Sequence, residues 1–402
     1  MSDRTAPGAL NGIRVVDMST VVMGPYAAQI LGDMGADVIK VETDGGDMNR
    51  TMGGGPASGM SGISMTVNRS KRSIALDLKT EKGREVLLRV LDTSAVLITN
   101  LRPGPLQRLK LDYDTVKSRF PSLVYCQAQG FRTGTPEEDR PAYDDIIQAA
   151  TGMTRFSEST VGVASFVPSI VADKVSGLTI VQAVLGALFH RERTGQGQRI
   201  EVAMFDALLA FNLTENLSRA VEPGKPTGYN RMLMKSRGPH RTTDGYVAVM
   251  PYTDDHWRLL FAHVGRESEL DEPWFADREF RVKHYEDTYA RLATVMAVRS
   301  TGEWITYCRE HAIPVNDTPS LDDIVDDELL HRGMITNEVH PHIGPYRGVR
   351  PSFTMDATPT AVRRHAPFAG ENSEEILAEL GYTSAEIASM FEDHIVSRAK
   401  LP

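Results

Sequence analysis

Apolar positions open the chain in two rhythms. Ile13–Met18 (IRVVDM) is a short β-branched run of the kind buried inside a sheet. After the turn STVVMGP, the apolar residues of YAAQILGDMGA recur at helical spacing. Gly35 stops that helix, and Asp37–Glu42 (DVIKVE) reads as a second strand. Strand, helix and strand in such a span make a βαβ unit, which predicts a parallel, doubly wound, Rossmann-like α/β sheet. The alternation continues through strand SIALDL, helix Glu81–Asp92, strand Ala95–Thr99 and short helices at Pro105–Leu109 and Asp114–Phe120. Strand Leu123–Gly130, helix Asp144–Met153, the apolar helix Leu178–Arg191, strand RIEVAM and helix Phe205–Arg219 follow.

At 222–227 (EPGKPT) proline, glycine and charge replace that alternation. The pattern predicts a large domain in 1–224, a smaller α+β domain in 225–330, and a return to the large domain in 331–402. The middle stretch holds a hairpin signal at Asp244-Gly245 and most of the aromatic load, with Trp257, Trp274, Tyr285, Tyr289 and Trp304. Helices are expected at Ser373–Leu380 and Ser384–Phe391. Residues 43–66, rich in Gly, Ser and Met, read as a mobile loop.

A length of 402 residues fits two domains, and 41% hydrophobic with 24% charged residues is the balance of a soluble globular protein. The net charge of −9 argues against a nucleic-acid partner. Cys126 and Cys308 lie far apart, outside any CxxC pair, which points to a reducing cytoplasm. The N-terminal stretch lacks the apolar core of a secretion signal. No apolar run reaches the roughly 18 residues of a membrane span, so no membrane partner is expected.

Several chemistries lack their motifs. The first turn has Val22 and Met23 where a dinucleotide fold wants glycines, so no nicotinamide cofactor is expected. Gly53-Gly54-Gly55 is not followed by the Lys-Ser/Thr of a phosphate loop, and GxSxG is absent. His240, His256, His340 and His342 lack the carboxylates or cysteines of a ligand set, and the Asp322-Asp323/Asp326-Asp327 segment lacks Ca²⁺-loop spacing. No metal is expected. What remains is a basic spot (Arg69, Lys71, Arg72, Lys79), a group at a strand end (Asn100, Arg102, Arg108) and Asp173. The basic spot suits phosphate or is a solvated edge. Asp173, at a helix entrance, reads as a first-turn anion or as a carboxylate nucleophile. In the middle stretch Arg231, Lys235, Arg237, His240 and Arg241 form a cationic run that fits a substrate carboxylate or a solvated loop.

Five blocks bring these residues together: GIRVVDMSTVVMGPYAAQILGDMGADVIKVE, NRSKRSIALDLKTEKGRE, YDDIIQAATGM, ADKVSGLTIVQAVLGALFHRERTGQGQRIEVAMFDALL and APFAGENSEEILAELGY. In order and extent they resemble the class III coenzyme A-transferases, a family that includes formyl-CoA transferase, carnitine CoA-transferase and the α-methylacyl-CoA racemases. The resemblance implies an interlocked homodimer that uses coenzyme A or acyl-CoA as substrate, with Asp173 as nucleophile. It places CoA contacts on Val22, Met23, Leu76, Asp77, Lys79, Asn100, Leu101, Arg102, Arg108, Arg140 and Tyr143. Two features depart from the family pattern. Thr43 and Asp44 stand where transferases often carry an adenine-side Arg, so Arg69, Lys71 or Arg72 are expected to meet phosphate instead. GYNRMLMKSRGPHRTTDG also lacks the glycine-run lid of oxalate-handling members.

The family's two chemistries separate at one residue. A racemase needs an acid/base pair, and Tyr143 stands where racemases carry His. A phenol with pKa near 10 is a poor base at neutral pH. The expected activity is therefore acyl-CoA:carboxylate CoA transfer through an aspartyl-CoA thioester. The alternatives are a 2-methylacyl-CoA racemase and a non-catalytic acyl-CoA binding protein.

Overall fold

The computed structural model describes residues 6–402. Its contacts divide the chain into two compact units. The first comprises the residues up to Thr151, Pro168–Phe211 and His331 onward; the second comprises Gly152–Val167 and Asn212–Leu330. The second unit thus begins before the composition change at 222 and also takes up 152–167.

In the first unit, β1 (Arg14–Met18) leads to α1 (Met23–Asp33), β2 (Asp37–Glu42), α2 (Gly62–Val67), β3 (Lys71–Leu76), α3 (Glu81–Asp92) and β4 (Val96–Thr99). Then come α4 (Pro103–Leu109), α5 (Tyr113–Val116), β5 (Val124–Gln129) and α6 (Asp144–Ala150). After α7 (Thr154–Val161), which lies in the second unit, come α8 (Val171–Thr194), β6 (Arg199–Ala203) and α9 (Met204–Asn216). The six strands pair in parallel in the order β3-β2-β1-β4-β5-β6. A last strand, Val396–Ser397, is added antiparallel on β3. Val16, Ile39, Ile74, Leu97 and Tyr125 alternate into a core closed by α3 and by the C-terminal helices Ser373–Glu379 and Ser384–Glu392. Strand order reverses at β1, and in open α/β sheets that reversal opens a crevice at the strands' carboxyl ends.

Three boundaries differ from the sequence reading, each for a physical reason. The 43–66 stretch is not a mobile loop: Asp47, Asn49 and Arg50 are buried, and Arg50 pairs with Glu42 at 2.5 Å. β3 starts at Lys71 because its cations find carboxylates inside the fold. α8 starts at Val171, which puts Asp173 in its first turn. α8 is also long and apolar enough to cross a membrane by length and composition, unlike the sequence reading. It packs on α1 with Ile180, Val181 and Val184 buried.

The second unit is organised by aromatic packing. Trp257 meets Trp274 edge-on with centroids 6.3 Å apart, and Tyr289 at 6.0 Å. Trp304 is fully buried and donates its indole N–H to the Met296 carbonyl at 2.8 Å. A three-stranded antiparallel sheet, His240–Arg241, Tyr246–Val249 and Val315–Asp317, completes it.

Candidate active site

The geometry begins with the five residues from Ser19, just after β1, to Met23, the first residue of α1. A run this short cannot satisfy its backbone by regular pairing, so side chains must do it. Asp17 Oδ1 accepts the Ser19 N–H at 3.1 Å, and the Ser19 carbonyl accepts Lys40 Nζ at 2.9 Å. Asn100 takes both backbone groups of Thr20, each at 2.9 Å. Asp47 accepts the Val21 N–H at 2.9 Å and Asn49 donates to the Val21 carbonyl at 2.8 Å. Val21 sits at φ +69°, a left-handed conformation costly for a β-branched residue. The end of the run is Met23, whose N–H donates to Asp173 Oδ1 at 3.2 Å.

Below this loop lies a charged layer with no solvent access. Lys40 and Lys71 both reach Asp17, at 3.8 and 2.7 Å, and Lys40 also reaches Asp47 at 3.0 Å. Burial works against the Asp17 carboxylate, but the two ammonium groups outweigh it and hold the carboxyl at about 2. Burial pulls Lys71 down to about 8.

Asp173 is 8% exposed. Instead of capping its own helix, it accepts the first N–H of α1. The cap for α8 comes from Asp144, whose Oδ2 accepts the Asp173 N–H at 3.1 Å. Burial first, and the Asp144 charge second, raise the Asp173 carboxyl to about 6, while the Met23 N–H works in the other direction. Gly177, one turn on, makes the approach possible: a Cβ there would meet the Tyr26 ring at 2.9 Å and the Met23 carbonyl at 3.0 Å. Met23 is thereby spent on Asp173. The N–H groups of Val22 and Gly24 have no partner among the described residues and stand at the positive end of α1.

The carboxyl ends of β1 to β3 and the start of α4 enclose a cavity of about 570 Å³. Its walls include Ser19, Thr20, Thr43, Asp77, Leu78, Lys79, Leu101 and Arg108, so three stretches of the sequence reading meet in one place. Arg84 joins Lys79 and Arg108 there. None of these three cations has a carboxylate partner among the described residues, and unpaired cations around a cavity suit phosphate. Leu76 is buried in β3 beneath the wall. Asn100 serves as the clamp on Thr20, and Arg102 is exposed at the entrance to α4. Arg140 is exposed over the Phe131 ring, and Tyr143 is the exposed N-cap residue of α6, next to Asp144.

The basic spot at the start of β3 is corrected. Arg69 pairs with buried Asp33 at 2.8 Å, and Lys71 is sealed against Asp17. Arg72 is shared among Asp37, Glu375 and Glu379. These cations hold the fold together and have no charge to spare for phosphate. The sequence missed Arg84, Asp144 and the Asp47/Asn49 pair. Arg84 follows Lys79 by five residues across a helix start, so a count of cations around the α3 N-terminus would have included it.

In the second unit, His240 is buried against Tyr289 and burial pushes its imidazole down to about 4, so it is uncharged at neutral pH. Lys235, Arg237 and Arg241 are exposed, and Arg231 lines a cavity. Of the histidines set aside in the sequence, His340 does join a cluster in the first unit, where donor atoms of His340, His365 and Glu371 lie within 4.8 Å of one another. They are committed to the protein. His340 bonds the Ala366 carbonyl and the His342 N–H, and Glu371 accepts His365 and the Phe368 N–H.

The first unit thus combines a parallel sheet, a cation-lined crevice and a buried carboxylate in the first turn of a helix, an arrangement compatible with group transfer from an anionic carrier. The family model for CoA-transferase family III matches residues 10–373, and the chain belongs to that family. It is a class III CoA-transferase. Among its relatives are a probable fatty acyl-CoA transferase, Rv3272 of Mycobacterium tuberculosis, and the succinate–glutarate CoA-transferase of Agrobacterium fabrum. The first is 31% identical over 92% of this chain and 97% of that protein. The second is 31% identical over 94% and 97%. The solved structure of a CAIB/BAIF family protein from Brucella suis superposes with a TM-score of 0.81 at 28% identity, covering 93% of this chain and 100% of that one.

Proposed function

We propose that this protein moves coenzyme A between carboxylic acids through covalent intermediates on Asp173. The observation that carries the reading is the Asp173 carboxylate, buried and aimed by the Met23 N–H at the end of a loop whose other end, Thr20, lines the cation-bearing cavity. Met23 lies three chain steps after Thr20, a reach of at most about 11 Å. That span suits a carrier whose nucleotide end sits in the cavity while its thioester reaches the carboxylate. Lys79, Arg84 and Arg108 take the phosphates, and Leu78 and Leu101 flank the base.

Asp173 Oδ attacks the thioester carbonyl and the C–S bond breaks, giving a mixed anhydride and CoA thiolate. The thiolate attacks the aspartyl carbonyl, expels the donor acid as carboxylate and leaves an aspartyl-CoA thioester. The acceptor carboxylate attacks that thioester and its C–S bond breaks, giving a second mixed anhydride and CoA thiolate. The thiolate then attacks the acceptor's carbonyl and expels Asp173 as carboxylate. No proton moves in these steps, so a carboxylate with pKa about 6 is ionised and competent at neutral pH. The N–H groups of Val22 and Gly24 are the oxyanion donors in this reading.

We read the strand order as Rossmann-like and the working enzyme as an interlocked homodimer. Exposed Ile146, Leu178, Phe189 and Phe211 in the first unit support a partner copy. The two buried, unpaired cysteines support a reducing cytoplasm. The test is trapping: acyl-CoA is added with hydroxylamine, and Asp173 is examined by peptide mass spectrometry. A hydroxamate at Asp173, and loss of exchange in Asp173→Asn, are expected. Exchange that persists in Asp173→Asn would sink the scheme.

A further inference from the structure

The second unit carries a cavity of about 290 Å³ that no step of CoA transfer uses. Its walls include the rings of Tyr252, Trp257, Tyr285 and Tyr289, with Arg231 and Arg281 as the cations and Asp254 as a carboxylate. The two arginines are not equivalent. Arg281 is neutralised by Asp254 at 2.8 Å and lies on the Phe275 ring, 4.3 Å from its centroid. Arg231 has no carboxylate partner among the described residues. Its contacts are the Met250 sulfur, the Tyr289 hydroxyl at 3.5 Å, the side chains of Tyr252 and Tyr229, and the face of the Tyr252 ring at 5.8 Å. A thioether and neutral phenols are weak acceptors that carry no charge, so they leave the guanidinium charge uncompensated.

We propose that this pocket binds a single carboxylate carried on a flat or apolar body, such as an arylacetic acid. Arg231 supplies the one fork that carboxylate geometry matches. The Trp257 and Tyr289 rings, both mostly buried, supply apolar wall where a dicarboxylate would need a second free cation. Pockets for drug-sized ligands begin near 300 Å³, so the cavity takes a small acid and excludes a CoA thioester. Of the cationic run at 231–241, this leaves one residue with a recognition role. The inference concerns binding alone and does not rest on the transfer reaction.

The experiment titrates the full-length protein with phenylacetate, phenylacetamide and glutarate by calorimetry, with tryptophan fluorescence as a second signal. Saturable phenylacetate binding is expected, with phenylacetamide and glutarate each at least tenfold weaker. Arg231→Gln should weaken phenylacetate at least tenfold, whereas Lys79→Ala should leave it unchanged. If Arg231→Gln loses its cooperative melt, Tyr252→Ala decides, because Tyr252 is largely exposed and its loss removes one wall. A several-fold weakening there supports the site. Absence of saturable binding overturns the proposal. So does equal affinity for the amide, tighter glutarate, an effect that follows Lys79 and not Arg231, or unchanged affinity in the variants.

Discussion

Asn49 donates its side-chain N–H to the Val21 carbonyl at 2.8 Å, and Val21 is held at φ +69°. Asp47 closes the other side by accepting the Val21 N–H, and Lys40 anchors Asp47. A left-handed β-branched residue persists only where its surroundings over-determine it. The clamp lies two residues from the Met23 N–H that meets Asp173, so it sets where that N–H points.

Asn49→Ala should therefore cost about 1–3 kcal/mol of stability, the penalty of a buried polar group left unpaired. It should also lower kcat on the order of 10- to 100-fold through misplacement of the α1 start. The Met23 N–H lowers the Asp173 pKa, so loosening it moves the acid limb of the rate profile to higher pH. The charged group facing Asp173 is Asp144 on α6, while α1 contributes only the N–H. Asn49→Asp should not rescue, because a carboxylate cannot donate to a carbonyl. An unmoved acid limb in Asn49→Ala would show that the clamp does not reach Asp173.

Gly177→Ala tests the approach of α8 to α1. The added methyl meets the Tyr26 ring at a distance that real Cβ contacts essentially never show, and the Met23 carbonyl at one tighter than most of them. Overpacking of this kind costs about 1–3 kcal/mol. Moving the helices apart also lengthens the 3.2 Å bond from Met23 to Asp173. The expected outcome is a lower melting temperature together with a loss of turnover larger than the loss of acyl-CoA affinity. Gly186, on the same helix with open space around it, is the control: Gly186→Ala should leave activity intact.

The cations separate into two kinds that turnover can distinguish. Lys79→Ala, Arg84→Ala and Arg108→Ala should each raise KM for acyl-CoA, by roughly 10-fold where a charged hydrogen bond is lost. Their melting temperatures should stay near wild type. Arg69→Ala should do the reverse: it breaks a buried pair with Asp33, at a cost of about 3–5 kcal/mol, and leaves KM unchanged. If Arg69→Ala raised KM without destabilising the protein, the assignment of that cation to the fold would fail.

This contrast shows where sequence reading stops. Periodicity placed β1 to β6 and α1 because buried strands and amphipathic helices write their burial into spacing. The cations at 69–72 were misread because Arg69, Lys71 and Arg72 look alike as letters. Only tertiary pairing reveals that Asp33, Asp17 and Asp37 lie opposite them. GGDMNR was hidden by composition: its glycines and polar residues have the profile of a loop, yet Asp47 and Asn49 are buried by bonds to a backbone more than 20 residues away. Asp173 was visible as a helix-entrance acid. That it serves a neighbouring helix, while Asp144 caps its own, follows from packing.

Asp173 should also trade stability for function, with a definite sign. Its folded-state pKa, about 6, lies above the ordinary 3.8, so the folded protein holds the proton more tightly than the unfolded chain. Stability is therefore lost as pH rises from about 4 to about 6, and the cost of the ionised carboxylate is fully present above that. The rise corresponds to about 3 kcal/mol, an upper figure for one group. Asp173→Asn keeps an acceptor for the Met23 N–H and removes both the buried charge and its repulsion with Asp144. The variant should melt higher than wild type at pH 8, with the gap closing toward pH 4, while transfer is lost at every pH. In the wild type, kcat/KM should fall tenfold per pH unit below about 6, because in the proposed scheme only the carboxylate attacks. Thermal melts of both proteins from pH 4 to 8, run beside the rate profile, check the sign. A variant less stable than wild type at pH 8 would mean that Asp173 is held as a structural ion, and its place as nucleophile would lose its physical basis.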